Sequence, residues 1–138
     1  MGRLARVQIL ETSLYHDSAQ RDQMERFYTG LLGLPRVAGW PDGMALRLGD
    51  GVLLIFDREL IKDREEPMAQ HGTSGPGHVC LLDAEGYEDW KQRIADAGVE
   101  ITHEHEWNGG RRSFYFQDPA GNLLEIADGD LWPPASQQ

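Results

Sequence analysis

"GVLLIFD" at residues 51–57 and "GNLLEIAD" at residues 121–128 are two versions of one phrase. Each leaves a glycine turn, runs through aliphatic positions and ends on an aspartate, as an apolar strand following a tight turn does. Aligned from the glycines, Ile55 falls opposite Glu125, so the second version carries one acid inside an otherwise apolar strand. A phrase repeated at this distance points to a duplicated unit, and the residues ahead of each copy define that unit.

Ahead of the first copy, "RVQILETSLYH" (6–16) is rich in β-branched, aromatic and aliphatic residues and reads as a strand with Glu11 in its interior. Asp17 or Ser18 can cap a following helix. Met24, Phe27, Tyr28, Leu31 and Leu32 recur at spacings of three and four, and Gly33 supplies a left-handed stop, which predicts an amphipathic helix of about four turns. Strands are expected at 36–40, 44–48 and 52–56, giving the order βαβββ. The same order restarts after a polar stretch containing Pro67, Gly72, Gly75, Pro76 and Gly77. "GHVCLL" is a strand; Tyr87, Trp90, Ile94 and Ala97 mark a helix face stopped by Gly98; "VEITHEHEW", "RSFYFQD" and "NLLEIAD" supply three strands. The last two are joined by "DPAGN", with Pro119 and Gly121 at good turn positions. The expected architecture is a single α+β domain over 1–138. It comprises a βαβββ module at 6–57, a linker at 58–76, a second module at 77–128 and a tail at 129–138, with the paired modules forming a cup-shaped mixed sheet.

Composition narrows the function. The chain has 138 residues, 13 basic against 23 acidic, for a formal net charge of −10. Such a surface repels phosphate backbones, so nucleic acid is a poor partner. The N-terminus lacks the apolar core of a signal peptide and no apolar run approaches the roughly 20 residues of a membrane helix, so a cytoplasmic protein without a membrane partner is expected. Cys80 is the only cysteine; no internal disulfide can form.

Strand alternation sorts the polar residues by face. Glu11, Ser13 and Tyr15 share one face of the first strand; His78, Cys80 and Leu82 share one face of its counterpart; Glu125 lies with Leu123 and Ala127. Buried carboxylates protonate, pair with a base or bind a cation. If the faces away from the helices converge, Glu11, His78 and Glu125 form a set of oxygen and nitrogen donors with positions left open for water or substrate. Other polar residues have simpler readings. His103 and His105 of "HEHE" suit a solvated or cup-lining strand edge, and His71 suits a solvated loop, although it could overhang the cup as a proton carrier. Cys80 reads as a small hydrophobe, Trp40, Trp107 and Trp132 as packing residues, and Arg111 and Arg112 as surface charges.

"FYTGLLGL", "GPGHVCLL" and "SFYFQDPAGNLLEI" together resemble the vicinal oxygen chelate superfamily, the group of glyoxalases, bleomycin-resistance proteins and extradiol dioxygenases. The resemblance covers roughly residues 6–128. It implies paired βαβββ modules around one divalent metal (Mn, Fe, Ni, Zn or Mg), a small-molecule substrate chelating that metal through neighbouring oxygens, and a homodimer. By position it implies Glu11, His78 and Glu125 as metal ligands, with Glu11 and Glu125 available as catalytic bases. The fourth ligand of glyoxalase I enzymes, from the last strand of the first module, would fall at Ile55 and is missing. "SFYFQDPAGN" is also similar to the closing stretch of fosfomycin thiol transferases, which implies substrate-binding roles for Ser113 and Tyr115, and for Ser13 with Tyr15 on the face of Glu11. The arginine those enzymes carry after the final strand has no counterpart in "GDLWPPASQQ". The expected function is therefore a metal-dependent enzyme of the glyoxalase or dioxygenase type; the alternatives are a fosfomycin-type thiol transferase and a non-catalytic, drug-sequestering protein.

Overall fold

The structure, a computed structural model, describes residues 7–133. Arg6 of the first expected strand and residues 134–138 of the expected tail lie outside that range. The first half runs through β1 (Glu11–His16), a 3-10 turn (Ser18–Gln20), α1 (Arg21–Glu25), a π-turn (Arg26–Leu31), β2 (Arg36–Trp40), β3 (Gly43–Leu48) and β4 (Gly51–Asp57). A short helix, α2 (Arg58–Ile61), follows. The second half comprises β5 (His78–Leu82), α3 (Tyr87–Asp96), β6 (His103–Glu106), β7 (Arg112–Gln117) and β8 (Leu123–Ala127). The strands form two four-stranded mixed sheets, ordered β1-β4-β3-β2 and β5-β8-β7-β6. In each, the first strand lies parallel to the last and the remaining pairs are antiparallel. A parallel pair needs a long crossover, which the helix of each half supplies. This is the expected α+β fold of paired modules.

The expected four-turn helix is a composite. Its last turn widens, with the Leu32 N–H donating to the Phe27 carbonyl at 2.9 Å, and Gly33 ends it at φ 67°. The wide turn holds Met24, Phe27, Tyr28 and Leu32 on one buried face.

Sheet faces divide cleanly. Leu14, Leu53, Ile55, Met44 and Leu46 of the first sheet share one core with Phe114, Phe116, Leu124 and Ile126 of the second, together with Phe27, Tyr28, Tyr87 and Ile94 from the helical segments. Phe27 lies 6.3 Å from Phe116, centroid to centroid, so the two halves pack through their helix-side faces. Each buried aromatic or branched side chain here contributes roughly 1.5–3 kcal/mol. The opposite face of the first sheet has its own smaller cluster, Tyr15, Ala45, Leu54 and Phe56, capped by Ile61 of α2.

Ile55 therefore points into the shared core, like Ile126. The residue that shares the outer face with Tyr15, as Glu125 shares one with Tyr115, is Leu54. The two phrases align from their terminal aspartates, and the extra residue in the second is Asn122. That residue joins the halves: its side-chain amide accepts from Gly77 N–H at 2.8 Å and donates to the Tyr15 carbonyl at 3.1 Å and to Asp118 Oδ2 at 2.8 Å. Tyr28 also donates to Asp118 Oδ2, at 2.7 Å.

Within the expected linker, α2 forms because Asp57 caps it. One Asp57 oxygen accepts from the N–H groups of Glu59 (3.0 Å) and Leu60 (3.3 Å), while Ser18 and Arg21 bind the same carboxylate.

Candidate functional site

Parallel pairing of β5 with β8 sets Cys80 beside Glu125, and antiparallel pairing of β7 with β8 sets Tyr115 on its other side. These strands alternate strictly, so His78, Glu125 and Tyr115 emerge on the face turned away from the shared core. Glu125 is buried, at 4% exposure, and its Oε2 has no hydrogen-bond partner. Its Oε1 lies 3.2 Å from His78 Nε2.

The other His78 nitrogen explains why this contact matters. Nδ1 lies 2.9 Å from the Leu123 carbonyl, which can only accept, so Nδ1 carries the proton. In the neutral ring Nε2 then presents a lone pair to a carboxylate oxygen. Two acceptors at that distance call for a shared cation, either a proton on the imidazole or a metal ion between the groups. A carbonyl fixing the far nitrogen is also how metal-binding imidazoles are oriented. The donor set fits a divalent ion.

Neighbouring groups respond to the carboxylate. Burial and then the Glu125 charge push the Cys80 thiol up to about 12, although the residue as a whole is exposed. Burial, with the Glu125 carboxylate close by, also raises the Tyr115 hydroxyl. Tyr115 stacks on His78 at 6.1 Å and 23°, and His103 meets it edge-on at 5.9 Å. His103, His105, Trp107 and Tyr115 line a cavity of about 530 Å³. His103 is thus part of the wall beside the histidine–carboxylate pair, a position that pairing with β7 determines and local sequence does not reveal.

The remaining candidates are separated from this pair. Glu11 is exposed at the start of β1, where it borders a cavity shared with Val79, Cys80 and Leu81 of β5, but among the described residues it makes no hydrogen bond or ion pair with His78 or Glu125. Among the described residues no three histidine, cysteine, aspartate or glutamate side chains converge as a metal site. Ser13 is half-buried beside Glu11. Tyr15 is buried in the outer cluster of the first sheet and hydrogen-bonds His71 Nδ1, a contact that a separation of 56 positions hid from sequence reading. Ser113 is fully buried and its hydroxyl accepts from the Trp107 indole N–H at 2.9 Å. Arg112 is tied to Asp128 and Glu88.

A family profile described as the Glyoxalase/Bleomycin resistance protein/Dioxygenase superfamily matches residues 19–126, which span the helix of the first module through the strand that carries Glu125. The chain belongs to this superfamily. Among its members, a glutathione transferase FosA from Serratia marcescens is 33% identical over 76% of this chain and 70% of its own length. Virulence protein STM3117 from Salmonella typhimurium is 29% identical over 74% and 72%. The crystal structure of a lactoylglutathione lyase from Agrobacterium tumefaciens superposes with a TM-score of 0.83 and 34% identity, covering 91% of this chain and 96% of that one. No helix among the described residues of this superfamily member is long and apolar enough to cross a membrane.

Proposed function

We propose that the chain is a metal-dependent enzyme acting on a small oxygenated substrate that chelates a divalent ion through neighbouring oxygens. One observation carries this reading: a buried carboxylate whose second oxygen is unpartnered and whose first lies 3.2 Å from His78 Nε2, the ring's other nitrogen being held by the Leu123 carbonyl. A purely structural glutamate would have had its oxygens satisfied. His78 and Glu125 would hold the ion, and Glu11 would complete the set from a second copy, because within the described residues of one chain the three do not converge. The unpaired edges of β1 and β5, with Ile9, Leu10 and Leu82 exposed around them, suit such a homodimer.

When bound, the ion would supply Lewis-acid polarisation of a substrate carbonyl or charge stabilisation of an enolate or alkoxide. The protein's part is orientation and proton handling. The Leu123 carbonyl holds the His78 ring and its tautomer, and Tyr115 packs flat against that ring. Glu125 and Glu11 are the carboxylates available as base.

A second reading, a fosfomycin-type thiol transferase, is favoured by the 33% identity to the glutathione transferase FosA. Ser113 argues against it, since the residue is fully buried, with Trp107 hydrogen-bonded to it.

Metal analysis of protein purified without chelators, followed by calorimetric titration with Mn2+ and Zn2+, tests the proposal. About one ion per chain is expected, with binding abolished by His78→Ala and by Glu11→Ala. A protein that takes up no divalent ion, or binds it equally well after both changes, overturns it.

A further inference from the structure

His16 is a buried polar residue at the end of β1, on the face that Leu14 presents to the shared core and opposite the face that carries Glu11 and Tyr15. Its Nδ1 lies 2.8 Å from the Asp17 carbonyl, which can only accept, so Nδ1 carries a proton. Nε2 has no hydrogen-bond partner among the described residues, and the ring lines a recess of about 70 Å³ floored by Met24, Met44 and Ile55. A buried histidine with one nitrogen open to a small cavity calls for an occupant that satisfies it.

The charged wall of this recess is made by Arg21, Arg36 and Glu25. Arg21 gives one N–H to Asp57 at 3.1 Å and Arg36 gives one to Glu25 at 3.1 Å, so most donors of each planar guanidinium stay open. Asp57 itself is sealed by Ser18 and the first N–H groups of α2. On a chain of net charge −10, a hollow bounded by two arginines, a histidine and a single acid is a local reversal of sign. The backbone makes room for it. The β2–β3 register shifts between Arg36 and Ala38, an irregularity of the kind that re-aims a side chain. The Arg36 guanidinium lies against Gly39, where any Cβ would overlap it.

Two guanidinium groups favour an oxyanion, whose oxygens match their paired N–H groups. The small volume favours a free ion over a large ester. In the neutral ring His16 Nε2 is an acceptor, so it asks for a hydroxyl, which hydrogen phosphate has and which sulfate and the dianion of a phosphate monoester lack. We infer that this recess binds free hydrogen phosphate, its oxygens held by Arg21 and Arg36 and its hydroxyl donating to His16 Nε2. The site lies on the core side of the first sheet and does not depend on the proposed metal.

The full chain in chelator and alkaline buffer, with ionic strength held constant by chloride, is titrated calorimetrically with inorganic phosphate, sulfate and methyl phosphate; the chelator keeps phosphate from reporting a bound metal. One phosphate per chain is expected, bound about tenfold more tightly than either comparison anion. Arg36→Gln should weaken it about tenfold. Gly39→Ala keeps every charge but displaces the Arg36 side chain, and should weaken it as well. Arg47→Gln removes the same charge from an exposed position on β3 outside the recess and should leave affinity unchanged. No saturable uptake, sulfate or methyl phosphate binding as tightly as phosphate, wild-type affinity in Arg36→Gln or Gly39→Ala, or an equal loss in Arg47→Gln would each overturn the assignment.

Discussion

Replacing Glu125 by glutamine separates a metal ligand from a structural acid, because the two roles predict opposite changes in stability. The substitution keeps the shape of the side chain, removes its charge and turns one oxygen into an N–H donor. In the chelated wild type, Oε2 is buried without a partner and Oε1 lies 3.2 Å from His78 Nε2, which can bind it only through a proton on the ring. Leaving a buried carboxylate charge short of partners costs on the order of 1–3 kcal/mol, and in alkaline buffer, well above the ordinary imidazole range, the new neutral amide can donate to His78 Nε2 at the existing separation. Glu125→Gln should therefore stabilise metal-free protein by about 1–3 kcal/mol, or roughly 4–10 °C in Tm at this chain length. With metal the order reverses: an ion at a thousand times its Kd adds about 4.1 kcal/mol to the wild type and nothing to a variant that cannot bind it. Differential scanning calorimetry in chelator, then in excess Mn2+, reads both limbs. A variant at least 1 kcal/mol less stable than wild type in chelator would refute the reasoning, because only an acid already satisfied by protein partners loses stability that way.

Four further outcomes follow from named contacts. Metal affinity should fall as pH drops, because protons compete for His78 and the carboxylates, and calorimetric titration between neutral and mildly acidic pH measures it. Burial alone would raise the Asp57 carboxyl, but hydrogen bonds from Ser18, Leu60 N–H, Arg21 and Glu59 N–H outweigh it and hold it below its usual range. Its stabilisation is therefore complete above the unfolded pKa of about 3.9 and lost as pH falls through the folded value; Asp57→Ala should cost about 2–4 kcal/mol in urea at pH 7, with a flattened acid limb. Tyr28→Phe removes a buried 2.7 Å bond to Asp118 but leaves that oxygen accepting from Asn122, so urea unfolding should register a loss of about 1–2 kcal/mol. Isomerisation of the methylglyoxal–glutathione hemithioacetal should be weak or absent in a spectrophotometric assay, since Leu54 offers no carboxylate where the first sheet mirrors Glu125.

Legibility in the sequence followed the range of the forces involved. Gly33 and Gly98 end their helical segments at φ 67° and 76°, local geometry that a glycine after an apolar stripe announces. β2, β3, β4, β5, β7 and β8 were readable because alternation and turn residues are local as well. The strand of "VEITHEHEW" shortened to His103–Glu106 because β7 pairs with only those four residues. α2 was hidden for a different reason: Asp57 ends a strand and caps a helix at once, and its capping role depends on Ser18 and Arg21 arriving from 36 and more positions away. Nor does any local pattern state that two modules will pack helix face to helix face, which rests on pairs such as Phe27 with Phe116.

The same limit decides how far the site could be read. Between Gly51 and Asp57 lie five residues, and between Gly121 and Asp128 lie six. Alignment from the glycines pairs Glu125 with Ile55, whereas alignment from the aspartates pairs it with Leu54, and with a side-chain period of two this single step exchanges the faces of the strand. Burial settles the register, since Leu53 and Ile55 join Leu124 and Ile126 in the shared core. The additional residue is Asn122, whose amide binds both halves of the molecule. Thus the inserted residue that clamps the modules together also shifts the following strand by one position and turns Glu125 outward toward His78. The first sheet has no such insertion and presents Leu54, packed under Ile61, at the corresponding place. One chain therefore offers a histidine–carboxylate pair on one sheet and a lone Glu11 on the other. If Glu11 completes the proposed three-ligand site from a second copy, a variant held monomeric should bind the ion far more weakly than wild type, and calorimetric titration beside sedimentation of the same sample measures both; equal affinity in the monomer would refute the shared site.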